Sequence, residues 1–249
     1  MSEKIARIGV WCTVSSTEYD LLRLTLKPML NNNHIEKILI VVTGPSKPNS
    51  FGYLSGLSSK VIEEYKYFGY GYGRSVEDGG YNQIDARNYA LKKICSHDLN
   101  WVLQFDADDF YTSSFFNYIS SVGEDKNYIC CACYTLNSIN TFWYKEKIDR
   151  SHNGRMLLNP HIRMWRKNIG LSYSECDNAN AVFTNRTRHC NVDFPMMRDR
   201  EIEFICNPMH FHLHNILRKK HHKSRVDSRK FDYELPGELL DCISHIKVI

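Results

Sequence analysis

The feature that most constrains the fold of this chain is a short apolar stretch followed directly by three carboxylates. Residues 101–105 have the length and apolar character of a buried parallel strand, and Asp106, Asp108 and Asp109 follow at once. Side chains of an extended chain alternate between faces, so Asp106 and Asp108 are expected on one side and Asp109 on the other. Carboxylates held this close repel each other unless a cation lies between them, so the stretch predicts a divalent-cation site.

The segments before this stretch place it at one edge of a parallel sheet. Residues 5–14, 36–43 and 61–68 are typical of buried strands, and residues 18–31 are typical of a helix. Strand, helix and strand at this spacing form a βαβ unit. Ligands of open α/β sheets bind beyond the carboxyl ends of the strands, where the three acids fall. The alternative is an acidic turn that only caps the segment after it.

The helix predicted over residues 82–95 brings polar side chains towards the same edge. Its apolar face also carries Arg87 and Asn88. Burying an arginine in an apolar stripe is costly without a partner, so both side chains are expected to point into a polar site. The alternative is that Arg87 extends along the surface into solvent.

These two segments together resemble one enzyme family. The sequence DARNYAL at 85–91, followed by FDADD at 105–109, is similar to the Ala-Arg-Asn helix and the Asp-X-Asp motif of glycosyltransferase family 2. The resemblance extends over residues 5–222 and implies the GT-A fold, a single α/β domain whose mixed, mostly parallel sheet is flanked by helices. It further implies a nucleotide-sugar-binding half over 1–110, an acceptor-side half over 127–216, and a basic C-terminal extension over 217–249.

The resemblance also implies roles for individual residues. In that family the Asp-X-Asp motif holds Mn²⁺ or Mg²⁺ on the diphosphate of a nucleotide-sugar, which assigns Asp106 and Asp108 to the metal. Residues 160–166 resemble the strand that follows the motif in the family. The chain departs from the family at the end of the second predicted strand, where residues 43–45 are Thr-Gly-Pro and family members carry acids. The candidate donor-binding residues are Arg87, Asn88, Asp106 and Arg163.

An acid downstream of the motif is the expected catalytic base. In inverting enzymes with the GT-A fold such an acid deprotonates the acceptor hydroxyl, and by position Glu175 or Asp177 is the candidate. Asp193 and Asp199 are alternatives, and a solvated turn at residues 174–177 is another. An enzyme that retains the anomeric configuration needs no such base.

A late cluster of histidines is the remaining candidate for the metal shell. His210, His212 and His214 share one face if residues 204–215 form a strand. Imidazole ligates Mn²⁺, and many GT-A enzymes contribute a late histidine to the metal, so His210 or His212 is expected to complete the shell. The alternative is one structural histidine and two exposed ones.

Composition restricts the other possibilities. The chain has 249 residues, of which 43% are hydrophobic and 24% charged, as in ordinary globular proteins. It shows no apolar run long enough for a membrane span and no export signal, and its nine cysteines follow neither a disulfide-scaffold nor a zinc-site spacing. We therefore expect reduced thiols and a cytoplasmic protein. The net charge of +4 and the basic run at 218–230 allow an anionic partner, either a diphosphate or nucleic acid.

The sequence therefore predicts a metal-dependent hexosyl- or pentosyltransferase. Its donor is a nucleotide-sugar, UDP-linked by family analogy, and its acceptor is a hydroxyl of a glycan or of a hydroxylated base in DNA. Two other classes stay open. One is a metal-dependent phosphoryl or nucleotidyl transferase, because paired aspartates also suit a two-metal site. The other is a non-catalytic nucleic-acid-binding protein.

Overall fold

The computed structural model gives the placement of most of the chain. The residues it describes are 6–69, 82–143, 150–152, 155–157, 161–174, 191–192, 198–217 and 228–246. Glu175, Asp177 and Asp193 lie outside the described residues, as does most of the basic run. None of the described helices combines the length and the apolarity that crossing a membrane requires.

The N-terminal half forms a parallel sheet in the strand order β3-β2-β1-β4. The strands are β1 (Ile8–Ser15), β2 (Ile35–Thr43), β3 (Val61–Tyr65) and β4 (Trp101–Gln104). The connecting helices are α1 (Leu22–Thr25), α2 (Lys27–Leu30), α3 (Tyr53–Leu57) and α4 (Gln83–Ile94). The predicted βαβ arrangement is therefore present.

The C-terminal half extends the same sheet to ten strands with mixed directions. The added strands are β5 (Asp109–Tyr111), β6 (Tyr128–Ser138), β7 (Thr141–Trp143), β10 (His161–Arg166), β13 (Ile202–His212) and β14 (Ser228–Lys230). Outside it lie two small ladders, β8 (Arg150–His152) with β9 (Arg155–Leu157) and β11 (Tyr173–Ser174) with β12 (Asn191–Val192). The remaining helices are α5 (Ser113–Ile119), α6 (His214–Leu217) and α7 (Gly237–Ser244).

Two pairings in this half bring distant residues to the end of β4. Strand β10 lies antiparallel between β4 and β6, and β13 runs parallel to β6 while pairing antiparallel with β5. The predicted fold class is confirmed, because the sheet is mixed, its longer pairings are parallel, and helices flank it.

Hydrophobic cores cover both faces of the sheet. Along β1, Val10, Cys12 and Val14 belong to one core cluster, whereas Trp11 belongs to the other. This two-sided burial is why the strands read as continuous apolar runs in the sequence. A methyl group at Gly9 would meet the side chains of Leu99 and Ile94, so this glycine lets the end of α4 lie close against β1.

The helix predicted over residues 18–31 is not continuous. A 3-10 turn (Tyr19–Leu21) is followed by α1 and then by α2, which begins with Pro28 in its first turn. Proline lacks the backbone N–H that an uninterrupted helix would use and disfavours helical geometry in the residue before it. The chain is therefore interrupted at Leu26, about two turns into the predicted helix.

The described C-terminal residues pack against the sheet. Strand β14 pairs with β7, and Leu239 and Cys242 of α7 are buried in the core. Glu238 accepts hydrogen bonds from the backbone N–H and the hydroxyl of Ser113, at 2.8 and 2.7 Å, at the start of α5. The division of the chain at residue 217 stays a prediction.

Candidate metal and donor site

The chain turns sharply after β4. Ala107 and Asp108 form a turn, and β5 begins at Asp109. The Asp109 N–H donates to the Asp106 carbonyl at 2.9 Å, and the Asp106 N–H donates to Asp109 Oδ2 at 3.3 Å. The expected alternation of the three aspartates does not hold, because these bonds close a turn where the pattern assumed an extended chain.

Asp106 lies between two buried arginines. Its Oδ1 is 3.6 Å from Arg87 Nη2 and accepts a 3.1 Å hydrogen bond from Gln104 Nε2. Its Oδ2 forms a close ion pair with Arg163 Nη1. Arg87 is only 4% exposed, so its side chain does not extend into solvent. Asp106 is therefore held by positive charge on both of its oxygens.

Asn88 binds the backbone of a neighbouring segment. Its amide nitrogen donates to the Tyr173 carbonyl at 2.9 Å, and its amide oxygen accepts from the Tyr173 N–H at 2.7 Å. The Tyr173 hydroxyl donates to Gln104 Oε1 at 2.9 Å, and its ring lies 5.5 Å from the Arg87 guanidinium carbon. These contacts tie α4, β4 and β11 together around Arg87.

Asp109 is fully buried and receives donors on both carboxylate oxygens. Its Oδ1 lies 3.1 Å from His210 Nε2 and 3.0 Å from His212 Nδ1. Its Oδ2 lies 3.4 Å from Arg163 Nη1. Burial by itself would raise the pKa of Asp109, but Arg163 and the histidines outweigh it and hold the pKa well below its usual range. These partners favour the ionised form of the buried Asp109 carboxylate.

The two candidate histidines occupy different environments. His210 is fully buried and stacks on Tyr111 with the ring centroids 4.2 Å apart, and burial lowers the pKa of His210. The His212 side chain is 23% exposed, and its Nδ1 lies 3.7 Å from Asp108 Oδ1. Burial would lower the pKa of His212, but Asp108 and Asp109 outweigh it and raise the pKa to about 9. Only His212 combines exposure with two neighbouring carboxylates.

Asp108, Asp109 and His212 bring their metal-ligating atoms together, all within 4.8 Å of one another. The Leu213 N–H donates to the Asp108 carbonyl at 2.7 Å and fixes the end of β13 against the turn. Two carboxylates and one imidazole suit Mn²⁺, and carboxylates also suit Mg²⁺. This group could therefore hold a divalent ion.

The residues whose ligand atoms converge are not all those that the sequence predicted. Asp106 lies with the arginines rather than in the group of converging ligand atoms, and Asp109, expected on the opposite face, lies inside that group. Gln104 and Tyr173 were not predicted to lie at the site, because neither carries a charge or belongs to a motif. Glu175 and Asp177 lie outside the described residues, and Asp199 is exposed in a turn before β13.

The chain is similar to several solved structures at low sequence identity. No protein-family model matches the chain, and no curated protein does. Among solved structures, S. aureus TarS 1-349 matches at 11% identity with a TM-score of 0.40, over 66% of this chain and 48% of that one. The complex of S. aureus TarS 1-349 with UDP-GlcNAc matches at 12% identity with a TM-score of 0.39, over 53% and 36%. The glycosyltransferase GlyE of Streptococcus pneumoniae TIGR4 matches at 12% identity with a TM-score of 0.34, over 51% and 30%.

This chain spans less than half the length of each of these proteins.

Proposed function

We propose that this chain is a metal-dependent glycosyltransferase that transfers a hexosyl or pentosyl group from a UDP-linked sugar to an acceptor hydroxyl. The observation that carries the proposal is the convergence of Asp108, Asp109 and His212 at the carboxyl end of β4. That position is where open α/β sheets bind ligands, and the resemblance of residues 82–109 to glycosyltransferase family 2 points to the same chemistry. The acceptor is a hydroxyl of a glycan or of a hydroxylated DNA base.

The residues around the turn have distinct tasks in this proposal. Arg87 and Arg163 fix the Asp106 carboxylate, which then meets the donor in one orientation. Asp108 and His212, whose side chains are 20% and 23% exposed, provide ligand atoms for the cation. When bound, Mn²⁺ or Mg²⁺ neutralises the charge that develops on the departing nucleoside diphosphate.

The transfer itself exchanges one bond for another. The acceptor oxygen bonds to the anomeric carbon of the sugar while the bond from that carbon to the diphosphate oxygen breaks. In an inverting reaction the acceptor proton passes to a base, for which we propose Glu175 or Asp177. The electron pair of the broken bond leaves on the UDP.

One observation favours this proposal over a two-metal nucleotidyl transferase. In the part of the chain that the structure describes, a single group of three metal-ligating side chains converges. A two-metal site needs ligands for two ions about 4 Å apart. Metal stoichiometry therefore separates the two reactions, with one ion per chain expected here.

A thermal-shift screen tests the proposal. We expect one UDP-sugar to raise the melting temperature only when Mn²⁺ is present, because a ligand specific to the native state stabilises it by mass action. The shift should vanish in Asp108→Asn. It should persist in Asp125→Asn, which removes the charge of an aspartate whose side chain is 73% exposed.

Two outcomes would contradict the proposal. One is an equal shift in wild type and Asp108→Asn. The other is a shift with DNA but with no nucleotide-sugar, which would indicate the nucleic-acid-binding alternative.

A further inference from the structure

We propose that Gln104 and Tyr173 are positioning residues for the sugar donor, which act in sequence on the carboxylate of Asp106. Tyr173 orients the Gln104 amide, and the Gln104 amide orients Asp106, so neither residue needs to contact the donor. This inference rests on the proposed function, in which Asp106 contacts the donor. Four features of the structure support it.

The first feature is the direction of the hydrogen bonds. Gln104 Nε2 donates to Asp106 Oδ1 at 3.1 Å, and the Tyr173 hydroxyl donates to Gln104 Oε1 at 2.9 Å. A carboxylate that pairs with arginines accepts hydrogen bonds and donates none, so the N–H end of the Gln104 amide must face Asp106. The amide oxygen then faces the Tyr173 hydroxyl. The three side chains therefore form a hydrogen-bonded chain with one direction, from Tyr173 to Asp106.

The second feature is that the chain of bonds is buried except at its end. Gln104 and Tyr173 are 1% and 3% exposed, whereas the Asp106 side chain is 27% exposed. Water does not compete for the buried bonds, and hydrogen bonds linked in a chain strengthen one another. A donor that approaches from solvent therefore meets Asp106, while the two residues that orient it lie behind it.

The third feature is that Gln104 supplies what the arginines do not. Arg163 Nη1 holds Asp106 Oδ2 in a close ion pair, but Arg87 Nη2 lies 3.6 Å from Oδ1, beyond the ordinary length of a hydrogen bond. The last torsion of an aspartate side chain has broad energy wells, so a carboxylate fixed at one oxygen still rotates. The Gln104 bond fixes the second oxygen and with it the plane of the carboxylate.

The fourth feature is that the far end of the chain is anchored. The Asn88 side-chain amide binds both the carbonyl and the N–H of Tyr173, at 2.9 and 2.7 Å. The Tyr173 ring makes an edge contact with the Trp11 ring, with the centroids 5.7 Å apart. A positioning group is effective when its own rotamer is locked by packing and hydrogen bonds, and Tyr173 meets this condition.

A double-mutant cycle on UDP affinity tests the inference. The variants are Tyr173→Phe, Gln104→Met and the double variant, which keep nearly the same side-chain shapes, and UDP binding is measured by calorimetry at saturating Mn²⁺. The dissociation constant should rise by about two- to fivefold in Tyr173→Phe and by about tenfold in Gln104→Met. The double variant should bind no more weakly than Gln104→Met, because Tyr173 then has no amide to orient.

The melting temperatures of the same variants separate a positioning role from a purely structural one. Each single substitution leaves a buried polar group without one of its partners, which destabilises the protein, whereas replacing both partners by apolar groups of the same shape is nearly neutral. The double variant should therefore melt closer to the wild type than Gln104→Met does. Its UDP affinity should nevertheless stay about tenfold weaker than that of the wild type, because Asp106 still lacks its hydrogen bond.

Tyr89→Phe is the matched control. The Tyr89 hydroxyl lies on α4 and donates to Glu64 Oε2 at 2.8 Å, outside this chain of bonds. Its loss should cost stability and leave UDP affinity unchanged.

Three outcomes would overturn the inference alone. They are unchanged UDP affinity in both single variants, additive losses in the double variant, and a double variant that recovers UDP affinity together with its melting temperature. Asp106→Asn is the reference for the donor contact and should weaken UDP binding at least as much as Gln104→Met. A wild-type protein that binds no UDP, or an Asp106→Asn variant that binds it unchanged, would overturn the proposed donor contact and this inference with it.

Discussion

The carboxylates on the two sides of the acidic turn at residues 106–109 have different types of partner. On one side Asp106 contacts the arginines Arg87 and Arg163, and on the other side Asp109 contacts the histidines of β13. Arg163 reaches both carboxylates through the same nitrogen, Nη1. Asp106 follows β4 of the parallel half, whereas Asp109, Arg163 and the histidines lie on strands β5, β10 and β13 of the mixed half.

This difference shows how a turn rich in carboxylates can be stable before any metal binds. Buried carboxylates need positive partners, and β10 and β13 supply them. Asp106 and Asp108 are both partly exposed, with side-chain exposures of 27% and 20%, and Asp108 is the one whose oxygen lies near His212. The proposed metal site is therefore the exposed tip of a network whose interior is already balanced in charge.

The largest expected effect on activity is at that tip. Asp108→Asn should lower the rate of UDP release from the donor by at least about 100-fold, because it removes a ligand to the ion that stabilises the leaving group. The melting temperature should stay close to that of the wild type, because Asp108 is not in the buried part of the network. UDP release and thermal unfolding, measured on the same preparation, check this.

If the Asp108→Asn variant folds correctly and keeps its activity, the Asp108 carboxylate has no part in the reaction. Asp125→Asn is the matched control and should match the wild type in both assays.

The largest expected effect on stability is at the shared arginine. Arg163→Met leaves Asp106 and Asp109 without their common partner and should lower the free energy of unfolding by about 3–5 kcal/mol. Arg166→Met, on the same strand, is the control. Arg166 donates to two backbone carbonyls and lies 4.0 Å over the Trp101 ring, so about 1 kcal/mol is expected. Urea denaturation of both variants measures the difference, and equal losses would contradict the shared-partner role.

Substitution of His212 should mainly change the Mn²⁺ requirement, whereas substitution of His210 should mainly change stability. His212→Gln should raise the Mn²⁺ concentration needed for half-maximal activity by about tenfold or more, with little loss of stability. His210→Gln should cost about 1–3 kcal/mol of stability, because it disturbs a buried partner of Asp109, and should change the Mn²⁺ requirement less. Activity against Mn²⁺ concentration and urea denaturation distinguish them. The reverse pattern would make His210 the ligand.

The smallest effect is expected at the support of Arg87. Asn88→Ala removes two hydrogen bonds to the Tyr173 backbone and should cost about 1–2 kcal/mol of stability. Because Tyr173 packs beside Arg87, donor affinity should also fall by a few-fold, read as an increase in KM at constant kcat. A change in kcat with no change in KM would place Asn88 closer to the reaction than these contacts indicate.

The sequence predicted the structure correctly where the apolar pattern of a single strand or helix face determines it. The apolar runs of β1, β2 and β4 predicted buried strands, because strands covered on both faces contain few polar residues. The position of Arg87 in an apolar stripe predicted a buried arginine with a polar partner, and the structure has Asp106 as that partner.

The sequence could not predict the features of the site that depend on tertiary contacts. The turn at Ala107 and Asp108 depends on hydrogen bonds between Asp106 and Asp109, which period-two alternation cannot anticipate. His210 and His212 have the same period along β13, and they differ because His210 stacks under Tyr111 while His212 is partly exposed near Asp108. The base assigned to Glu175 or Asp177 and the cytoplasmic location stay predictions.

One measurement tests the central proposal most directly, a Mn²⁺ titration followed by electron paramagnetic resonance with and without UDP. We predict one Mn²⁺ per chain, bound more tightly when UDP is present, because an ion and a nucleotide that contact each other must raise each other's affinity. The binding should be lost in Asp108→Asn. Two ions per chain, an affinity indifferent to UDP, or unchanged binding in Asp108→Asn would contradict the proposal.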